Sequence, residues 1–423
     1  MLKYYKYSEF SIGDFMTKTI MKKYAHLIAR VGANIKKGQP VRIIAEADQF
    51  EFINLLVTEC YKLGASRVDV EWTYQPITKT DYKYRTLKSL SEVPLWKEEK
   101  LKLMVEEVPC RIFIESEDPD GLKGVNREKM QKSQMARYKV TKKYSDALEN
   151  KDQWTIAAVP SYAWAKKVFP NETKRNAYNK LWDAILETVY VTKDNDPVKE
   201  WENHNKNLKE RTKWLNEKKF DYIEYKSSNG TDFRADLIPE AHWCGGGEET
   251  LSGNFFNPNL PTQEVFTSPK KGFAEGTLVS TKPLSYQGQL IEDFKITFKD
   301  GKAVSWEAKE NKDLLDKMLS MDEGAPYLGE LALIPQDSPI ANTGILFYNT
   351  LFDENASCHV ALGRGFCDTI DDFQSKTLEE CQSLGVNDSM IHVDFMIGAD
   401  DLTITGYKNG KAYPIFKNGN WAF

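Results

Sequence analysis

Two histidines and three carboxylates in the second half of the chain form the most informative set of side chains in the sequence. They are Glu264, Glu330, His359, His392 and Asp394. Each lies on or beside an apolar, strand-like run, in the segments PTQEVFTSP (261–269), GELALIP (329–335), FDENASCHVALG (352–363) and MIHVDF (390–395). His392 and Asp394 are two positions apart, so that on a strand both side chains leave the same face. This spacing is typical of two ligands of one site.

The combination of imidazole nitrogens and carboxylate oxygens indicates a site for a borderline divalent cation such as zinc, cobalt or manganese. Five ligands are more than one closed tetrahedral site needs. Two cations that share carboxylates fit this number better, and such pairs catalyse hydrolysis. The residues therefore favour a metal-dependent hydrolase.

Each of the five residues also has an interpretation without a metal. His359, between small and apolar neighbours, is typical of a buried histidine with one hydrogen-bond partner. Glu264 follows a Pro-Thr pair, which is also typical of a helix start. His392 and Asp394 could form a structural ion pair. Glu330 is harder to explain in this way, because a carboxylate at the beginning of an apolar strand is costly to bury unless it is paired or bound to a metal.

Length, charge and composition limit the class of protein. At 423 residues, the chain is expected to form two domains. Its net charge of −5 and its lack of a long basic run argue against a nucleic-acid-binding surface. No window approaches eighteen consecutive apolar residues, so we expect no membrane span. The first twenty residues lack the apolar segment and cleavage site of a secretory signal. Six scattered cysteines without a CxxC pair are typical of reduced thiols in a cytoplasmic protein.

The first half of the chain alternates helical and strand-like segments. Strands are predicted by apolar alternation at 41–47, 67–72, 111–115 and 155–159. Helices are predicted by their 3.6-residue periodicity at 24–31, 53–60 and 95–106. This order indicates a mainly parallel sheet. Neither of the two glycine-rich phosphate-binding motifs follows the first strand, so we expect a scaffold or a wall of the substrate cleft rather than a nucleotide site.

The second half is predicted to be rich in strands. Asn-Gly or Asp-Gly pairs at 229–230, 300–301 and 409–410 each separate two alternating runs, which is a strong signal for a β-hairpin. Before them, a polar helix is predicted over 196–219, with Asp196 as its cap. We therefore predict an α/β N-terminal domain (1–219) with a mainly parallel sheet, followed by a β-rich α+β C-terminal catalytic domain (220–423).

Several long segments resemble a known family. PTQEVFTSP, GELALIP, YNTLFDENASCHVALG and HVDFMIG are similar to the signature segments of the aminopeptidase T/S family, the thermophilic-type metalloaminopeptidases of peptidase family M29. In the first half, KKGQPVRI, YKLGASRVDVEW and VPSYAWAKKVFP resemble that family's N-terminal segments. The resemblance runs over most of the chain.

The resemblance implies a cytoplasmic homodimer that removes N-terminal residues from peptides with a free N-terminus. It also implies two divalent metal ions (zinc, cobalt or manganese) per chain, held by Glu264, Glu330, His359, His392 and Asp394. Asp394 or Glu330 is expected to bridge the ions. Glu264 is the first candidate for the catalytic carboxylate that takes the proton of the attacking water, and Glu330 is the second.

One position departs from the family. Phe366 stands where the family usually has a tyrosine, and a phenyl ring cannot donate a hydrogen bond. Losing one such donor costs about a hundredfold or more in rate, so we expect Tyr348 or Arg364 to replace it, or turnover to be slow. Asp353 and Glu354, upstream of His359, are either partners that orient the imidazole or turn residues.

Two alternative functions stay open. One is a different dinuclear hydrolase, such as a carboxypeptidase-like or amidase activity. The other is a metal-binding homologue with weak or lost peptidase activity that acts as a peptide-binding or scaffold protein, and Phe366 is the residue that favours it.

Overall fold

A computed structural model describes residues 17–286 and 289–423, apart from the side chains of Thr17 and Ser285. The predicted absence of a secretory signal rests mostly on residues 1–16, which lie outside the described residues. The first half folds around a five-stranded parallel sheet, in the order Asn259–Leu260, Trp154–Ala158, Cys110–Glu115, Pro40–Glu46 and Arg67–Thr73. The four strands predicted in this half and their parallel arrangement are confirmed.

Helices cover the parallel sheet because their apolar stripes are buried against it. Phe52, Ile53, Leu56 and Cys60, for example, lie on one face of a single helix and are almost fully buried. The α-helices of the first half are Thr17–Leu27, Phe50–Lys62, Gln75–Tyr84, Leu87–Ser91, Leu95–Glu107, Arg127–Leu148, Tyr162–Val168 and Lys174–Thr188. The first of them continues as a π-helical turn, Ile28–Gly32.

A long helix, Pro197–Lys218, connects the two halves, as predicted for 196–219. The Asp196 carboxylate accepts a hydrogen bond from the Val198 amide, and this bond satisfies one of the free amides of the first turn. Trp201 packs into the core of the parallel-sheet half, whereas Leu208 and Leu215 pack into the core of the strand-rich half. The buried face of this helix therefore contributes side chains to both hydrophobic cores.

The second half contains an eight-stranded antiparallel sheet. The three predicted hairpin turns connect neighbouring strands of it. Its strands, in spatial order, are Lys302–Glu307, Lys295–Lys299, Pro269–Val279, Asp232–Leu237, Tyr222–Lys226, Thr403–Lys408, Lys411–Lys417 and Asn420–Trp421. The helices of this half are Lys312–Leu319, Pro339–Asn342, Thr350–Asp353 and Leu378–Leu384. The predicted fold class is confirmed.

A second, five-stranded antiparallel sheet carries the residues singled out in the sequence. Its strands, in spatial order, are His392–Met396, His359–Gly363, Leu328–Leu333, Val265–Thr267 and Cys244–Gly245. The strands Leu328–Leu333 and His359–Gly363 are buried throughout, whereas the edge strand His392–Met396 is partly exposed at its first three residues. A buried sheet whose register is fixed on both faces holds its side chains rigidly.

The two halves exchange segments. The strand Asn259–Leu260 belongs by sequence to the second half but pairs with Trp154–Ala158 in the parallel sheet. Phe347, Leu351 and Phe352 likewise pack into the core of the first half. The division of the chain at residue 219 stays a prediction.

All six cysteines lie within the described residues, and each is a free thiol. Among the helices of residues 17–286 and 289–423, none is long and apolar enough to cross a membrane.

Candidate metal centre

Four of the five predicted site residues lie on the three longest strands of the five-stranded sheet. Glu330 is the third residue of its strand, and His359 is the first residue of the next. His392 and Asp394 are the first and third residues of the edge strand. Glu264 immediately precedes the strand on the other side of Glu330. The sequence analysis placed each of them on or beside a strand, and the structure brings all five together.

The register of these strands puts the functional side chains on one face. Glu330 and Asp394 both lie opposite Ala361, and His392 lies opposite Gly363. Residues that lie opposite each other on paired strands project from the same face of the sheet. The small residues Ala361 and Gly363 at the centre leave room for the longer ligand side chains around them.

The ligand atoms form two overlapping groups. Within the part of the chain that the structure describes, Glu264, Glu330 and His359 make one group, and Glu330, His392 and Asp394 make the other. In each group, the candidate ligand atoms lie within 4.8 Å of one another. Glu330 belongs to both groups.

Both imidazoles direct Nε2 toward carboxylates. His359 Nε2 lies 3.7 Å from Glu264 Oε2 and 3.9 Å from Asp394 Oδ1. His392 Nε2 lies 3.1 Å from Glu330 Oε2 and 3.4 Å from Asp394 Oδ1. The two histidines therefore face the same acids from two sides.

Backbone carbonyls hold the other nitrogen of each imidazole. His359 Nδ1 lies 3.1 Å from the carbonyl oxygen of Ser357, and His392 Nδ1 lies 2.7 Å from that of Arg364. A carbonyl only accepts, so Nδ1 carries a hydrogen and donates it. With Nδ1 committed to the carbonyl, Nε2 of each ring faces the carboxylates, where it can donate a hydrogen to them or, once deprotonated, offer its lone pair to a cation.

Gly329 allows one of these contacts. A Cβ at this position would lie 2.1 Å from the carbonyl oxygen of Arg364, the atom that accepts the hydrogen bond from His392. The strand is irregular between Leu328 and Glu330, where it passes this carbonyl. Because residue 329 has no side chain, the Arg364 carbonyl that holds His392 can lie close to the backbone beside Glu330.

The acids of the site raise one another's pKa. Burial and the charge of Glu330 raise the pKa of Glu264 to about 8. Burial raises the pKa of Glu330 to about 7, although His392 opposes the shift. The pKa of Glu354 is raised well above its usual value by burial and by the charges of Glu264 and Asp394. So many buried carboxylates are stable together only if they bind protons or cations.

His392 shows how the site holds a proton when no cation is bound. Burial lowers the pKa of its imidazole, but the close carboxylates of Asp394 and Glu330 more than offset this and raise the pKa to about 11. Burial also acts to raise the pKa of Asp394, yet the two imidazoles hold it below its ordinary value. A metal ion would displace the proton from His392.

One carboxylate oxygen of the site gives a further reason to expect a divalent cation. Asp394 Oδ1 is buried and has no hydrogen-bond partner among the described residues, although it lies near both imidazoles. A buried carboxylate oxygen without a hydrogen bond is costly, and coordination to a cation removes that cost.

Asp353 and Glu354 have different environments. The Asp353 carboxylate accepts hydrogen bonds from the amides of Phe347 and Asn349, so that it stabilises a turn. Glu354 contributes to a cavity of about 250 Å³ together with His392 and Asp394. Neither residue contacts the Nδ1 atom of an imidazole, and the predicted orienting role is performed by backbone carbonyls instead.

Tyr348, Arg364 and Phe366 surround the site at its margins. Tyr348 lines the cavity of about 250 Å³. Arg364 lines a second, larger cavity, and His392 lines it too. The Phe366 ring lies 4.8 Å from the His392 ring, centre to centre. The position of the family tyrosine is thus directly beside a candidate ligand.

The sequence analysis missed two kinds of contributor. The carbonyl groups of Ser357 and Arg364 have no signal in a sequence, because every residue has a carbonyl. The Asp368 carboxylate acts to raise the pKa of Glu330, and it was not singled out. Asp368 stands two residues after Phe366, and this nearness to other candidate residues could have indicated it from the sequence.

Comparisons with known proteins place the chain in a family. Residues 17–421 match the family model described as thermophilic metalloprotease (M29). The chain belongs to this family. Its predicted membership of the M29 peptidases is therefore confirmed, and it is a peptide-bond hydrolase. Membership also implies divalent metal cofactors.

Named relatives are similar over almost their whole length. The chain is 40% identical to aminopeptidase AmpS of Bacillus subtilis over 405 residues, which are 95% of this chain and 98% of the relative. It is 35% identical to aminopeptidase T of Thermus thermophilus over 406 residues, 96% of this chain and 98% of the relative. A solved structure of wild-type AmpT from Thermus thermophilus superimposes with a TM-score of 0.89 at 34% identity, covering 96% of this chain and 100% of that one. These relatives support a metal-dependent aminopeptidase with peptide substrates.

Proposed function

We propose that the protein removes N-terminal residues from peptides at a centre that binds two divalent ions. The observation that supports two ions is the pair of ligand groups that share Glu330. Glu264 and His359 complete one group, and His392 and Asp394 complete the other. If the centre held a single ion, one of these two groups of side chains would have no ion to bind.

The bound ions would polarise the carbonyl of the peptide bond and make a water molecule acidic enough to attack it. The residues of the chain have separate tasks. Glu330 is the candidate bridge because it alone belongs to both groups. The carbonyls of Ser357 and Arg364 fix the rings of His359 and His392 so that Nε2 faces the ions.

A carboxylate must take the proton of the attacking water and pass it to the leaving amine. Glu264 and Glu330 are the candidates from the sequence. Glu354 becomes a third candidate, because its carboxyl group interacts with Glu264, Asp394 and Glu330 but belongs to neither ligand group. A carboxylate that is close to the ions and not committed to them is free to carry a proton.

The cavity of about 250 Å³ explains why cleavage would stop at the first residue. It is lined by apolar side chains that include Leu284 and Met396, and by the carboxylates of Asp353 and Glu354. A pocket of this size accommodates one amino-acid side chain, and the Glu354 carboxyl group can accept a hydrogen bond from a free ammonium group. An N-acetylated peptide offers no such charge.

The remaining expectations are part of the same proposal. We infer that zinc, cobalt or manganese occupies the centre, because these ions accept mixed nitrogen and oxygen ligands. We also infer a homodimer that acts in the cytoplasm.

The proposal is tested by removing metal ions with a chelator and adding back zinc, cobalt or manganese. Release of leucine from Leu-Gly-Gly is measured beside N-acetyl-Leu-Gly-Gly. We expect metal-dependent cleavage of the free peptide alone. Cleavage of the acetylated peptide would indicate a different hydrolase, and cleavage that survives complete removal of metal would contradict the proposal.

A second candidate function is a metal-binding protein with weak or lost turnover. The contact of the Phe366 ring with His392 favours it, since a phenyl ring supplies no hydrogen-bond donor at this place. Phe366→Tyr distinguishes the two. A rate that rises about a hundredfold would show that the natural centre has lost a donor. A rate within about twofold of the natural protein would show that other groups fill the role.

A further inference from the structure

A large cleft opens beside the metal centre. Its volume is about 970 Å³, and it lies between the helices Leu95–Glu107 and Arg127–Leu148 on one side and residues 389–392 with Arg364 on the other. The walls come from the two halves of the chain. We call this space the cationic cleft, because six basic side chains line it: Arg42, Lys97, Lys100, Arg137, Lys139 and Arg364.

The charge of the cleft differs from that of the chain. Among the described residues that line it, Glu71 and Glu92 are the acidic ones, whereas the whole chain has a net charge of −5. Glu71 already pairs with Arg42 and Lys100. Among the described residues, no ion pair involves Lys97, Lys139 or Arg364. The cleft therefore presents unneutralised positive charge to whatever enters it.

The cleft also has apolar walls. Trp96 and Met390 are 63% and 62% exposed, and both line it from opposite sides. Met135 and Tyr138 add further exposed apolar surface on the helix Arg127–Leu148. Cations interspersed with aromatic and thioether groups suit a chain that carries both apolar side chains and a carboxylate.

His392 connects the cleft to the metal centre. His392 lines the cationic cleft, and it also lines the smaller cavity of about 250 Å³. Arg364 also lines the cleft, and its carbonyl accepts the hydrogen bond of His392 Nδ1 at 2.7 Å. Its guanidinium also repels Lys142 of the opposite wall.

We propose that the cationic cleft binds the part of the peptide that follows the scissile bond, and that Arg364 pairs with the carboxylate of short peptides. This inference rests on the proposed aminopeptidase function. The N-terminal residue occupies the small cavity, the peptide bond lies at the ligand groups, and the remainder extends into the cleft. Arg364 is a specificity residue in this arrangement, and the enzyme prefers short peptides with a free C-terminal carboxylate.

The ligand could present its carboxylate either at the C-terminus or on an acidic side chain. Three peptides distinguish these sources: Leu-Gly-Gly, Leu-Gly-Gly amide and Leu-Gly-Glu amide. If the terminal carboxylate is recognised, the first has the lowest KM. If any nearby carboxylate suffices, Leu-Gly-Glu amide has a KM as low as the free acid.

The decisive variant is Arg364→Gln, with Lys102→Gln as its matched control. Lys102 lies on the helix Leu95–Glu107 and pairs with Glu99, but it does not line the cleft. We expect Arg364→Gln to raise KM for Leu-Gly-Gly about tenfold, since a charge-assisted bond is lost, while the KM for the amide stays within about twofold. The natural protein's preference for the acid should shrink as salt rises from about 0.05 to 0.5 M. Lys102→Gln should change none of these values.

A binding measurement separates this inference from the proposed function. N-acetyl-Leu-Gly-Gly and its amide resist the proposed hydrolysis, so calorimetry can compare their affinities whether or not the protein cleaves peptides. Tighter binding of the acid, lost in Arg364→Gln, supports the inference even if turnover is absent. Equal binding of acid and amide, or an equal loss of both in Arg364→Gln, would overturn it while leaving the aminopeptidase proposal intact. Binding of neither would also overturn it and would leave the cleft to another occupant, such as a second copy of the chain.

Discussion

Among the individual residues, Glu330 has the most demanding environment. It is 5% exposed on a strand whose residues are all buried, and its carboxyl group faces Asp394 and His392. A carboxylate in such a place is costly unless a cation or a proton neutralises it. The sequence analysis recognised this cost from an acid at the start of an apolar run. The sequence could not show that the same carboxylate belongs to two ligand groups, because that depends on the register of three strands.

Glu354 provides a test at the level of single residues. Because it faces the acids without belonging to a ligand group, Glu354→Gln should remove a proton carrier and leave the ions in place. We expect kcat to fall about a hundredfold or more, with an unchanged metal content. Steady-state kinetics and metal analysis of the purified variant measure both effects.

The control for this variant is Glu323→Gln, which removes an exposed carboxylate at a distance of seven positions from Glu330. It should have natural activity. Full activity of Glu354→Gln would return the role of proton carrier to Glu264 or Glu330.

At the level of secondary structure, the centre depends on the loop that leads into the strand His392–Met396. Asp322 holds this loop: its carboxylate accepts hydrogen bonds from the Ser389 hydroxyl at 2.9 Å and from the Met390 amide at 2.6 Å. It also accepts from the amides of Gly324 and Ala325 in its own turn. The residues that immediately precede His392 are thus held in place by Asp322, which lies seventy positions earlier in the chain.

Asp322→Asn should destabilise the protein in a pH-dependent way. Burial acts to raise the pKa of Asp322, but the hydrogen bonds from Met390 and Ser389 more than offset it, and the pKa lies below its usual value. The stabilisation is therefore present above the unfolded pKa of about 3.9 and is lost as pH falls through the lower folded pKa. We expect the variant to lose about 1–3 kcal/mol at neutral pH.

Thermal melting of both proteins at pH 7 and at a pH below the folded pKa of Asp322 measures this difference, which should shrink in acid. Asp313→Asn is the matched control, because Asp313 forms only an exposed pair with Lys317 and its loss should cost less than about 1 kcal/mol. A penalty for Asp322→Asn that is the same at both pH values would contradict the explanation.

Across the whole molecule, much of the fold was predictable and some of it was not. The strands at 41–47 and 111–115 were found because local periodicity reports burial, and the hairpin turns were found because Asn-Gly and Asp-Gly pairs suit tight turns. The short strand Asn259–Leu260 was not predicted to join the parallel sheet, since two residues have no periodicity and their partner lies about a hundred positions earlier. The cationic cleft was not predictable for the same reason, because Lys97 and Arg364 line the same cleft only through tertiary structure.

The five ligand candidates were predictable because each stands out against apolar neighbours and because the family resemblance names them. The supports of the imidazoles were not, since they are carbonyl groups of Ser357 and Arg364. The roles of Asp353 and Glu354 were also undecided in the sequence. Only the structure shows that the Asp353 carboxylate accepts hydrogen bonds from the amides of a turn, whereas the Glu354 carboxyl group interacts with Glu264, Asp394 and Glu330.

The measurement that tests the dinuclear centre most directly is the number of metal ions bound per chain, determined by calorimetric titration of the metal-free protein with zinc. The natural protein should bind about two ions. Glu264→Gln should retain about one, because Glu264 belongs to a single ligand group, whereas Glu330→Gln should weaken both sites, because Glu330 belongs to both. One ion in the natural protein, or two tightly bound ions in Glu330→Gln, would contradict a centre built on a shared carboxylate.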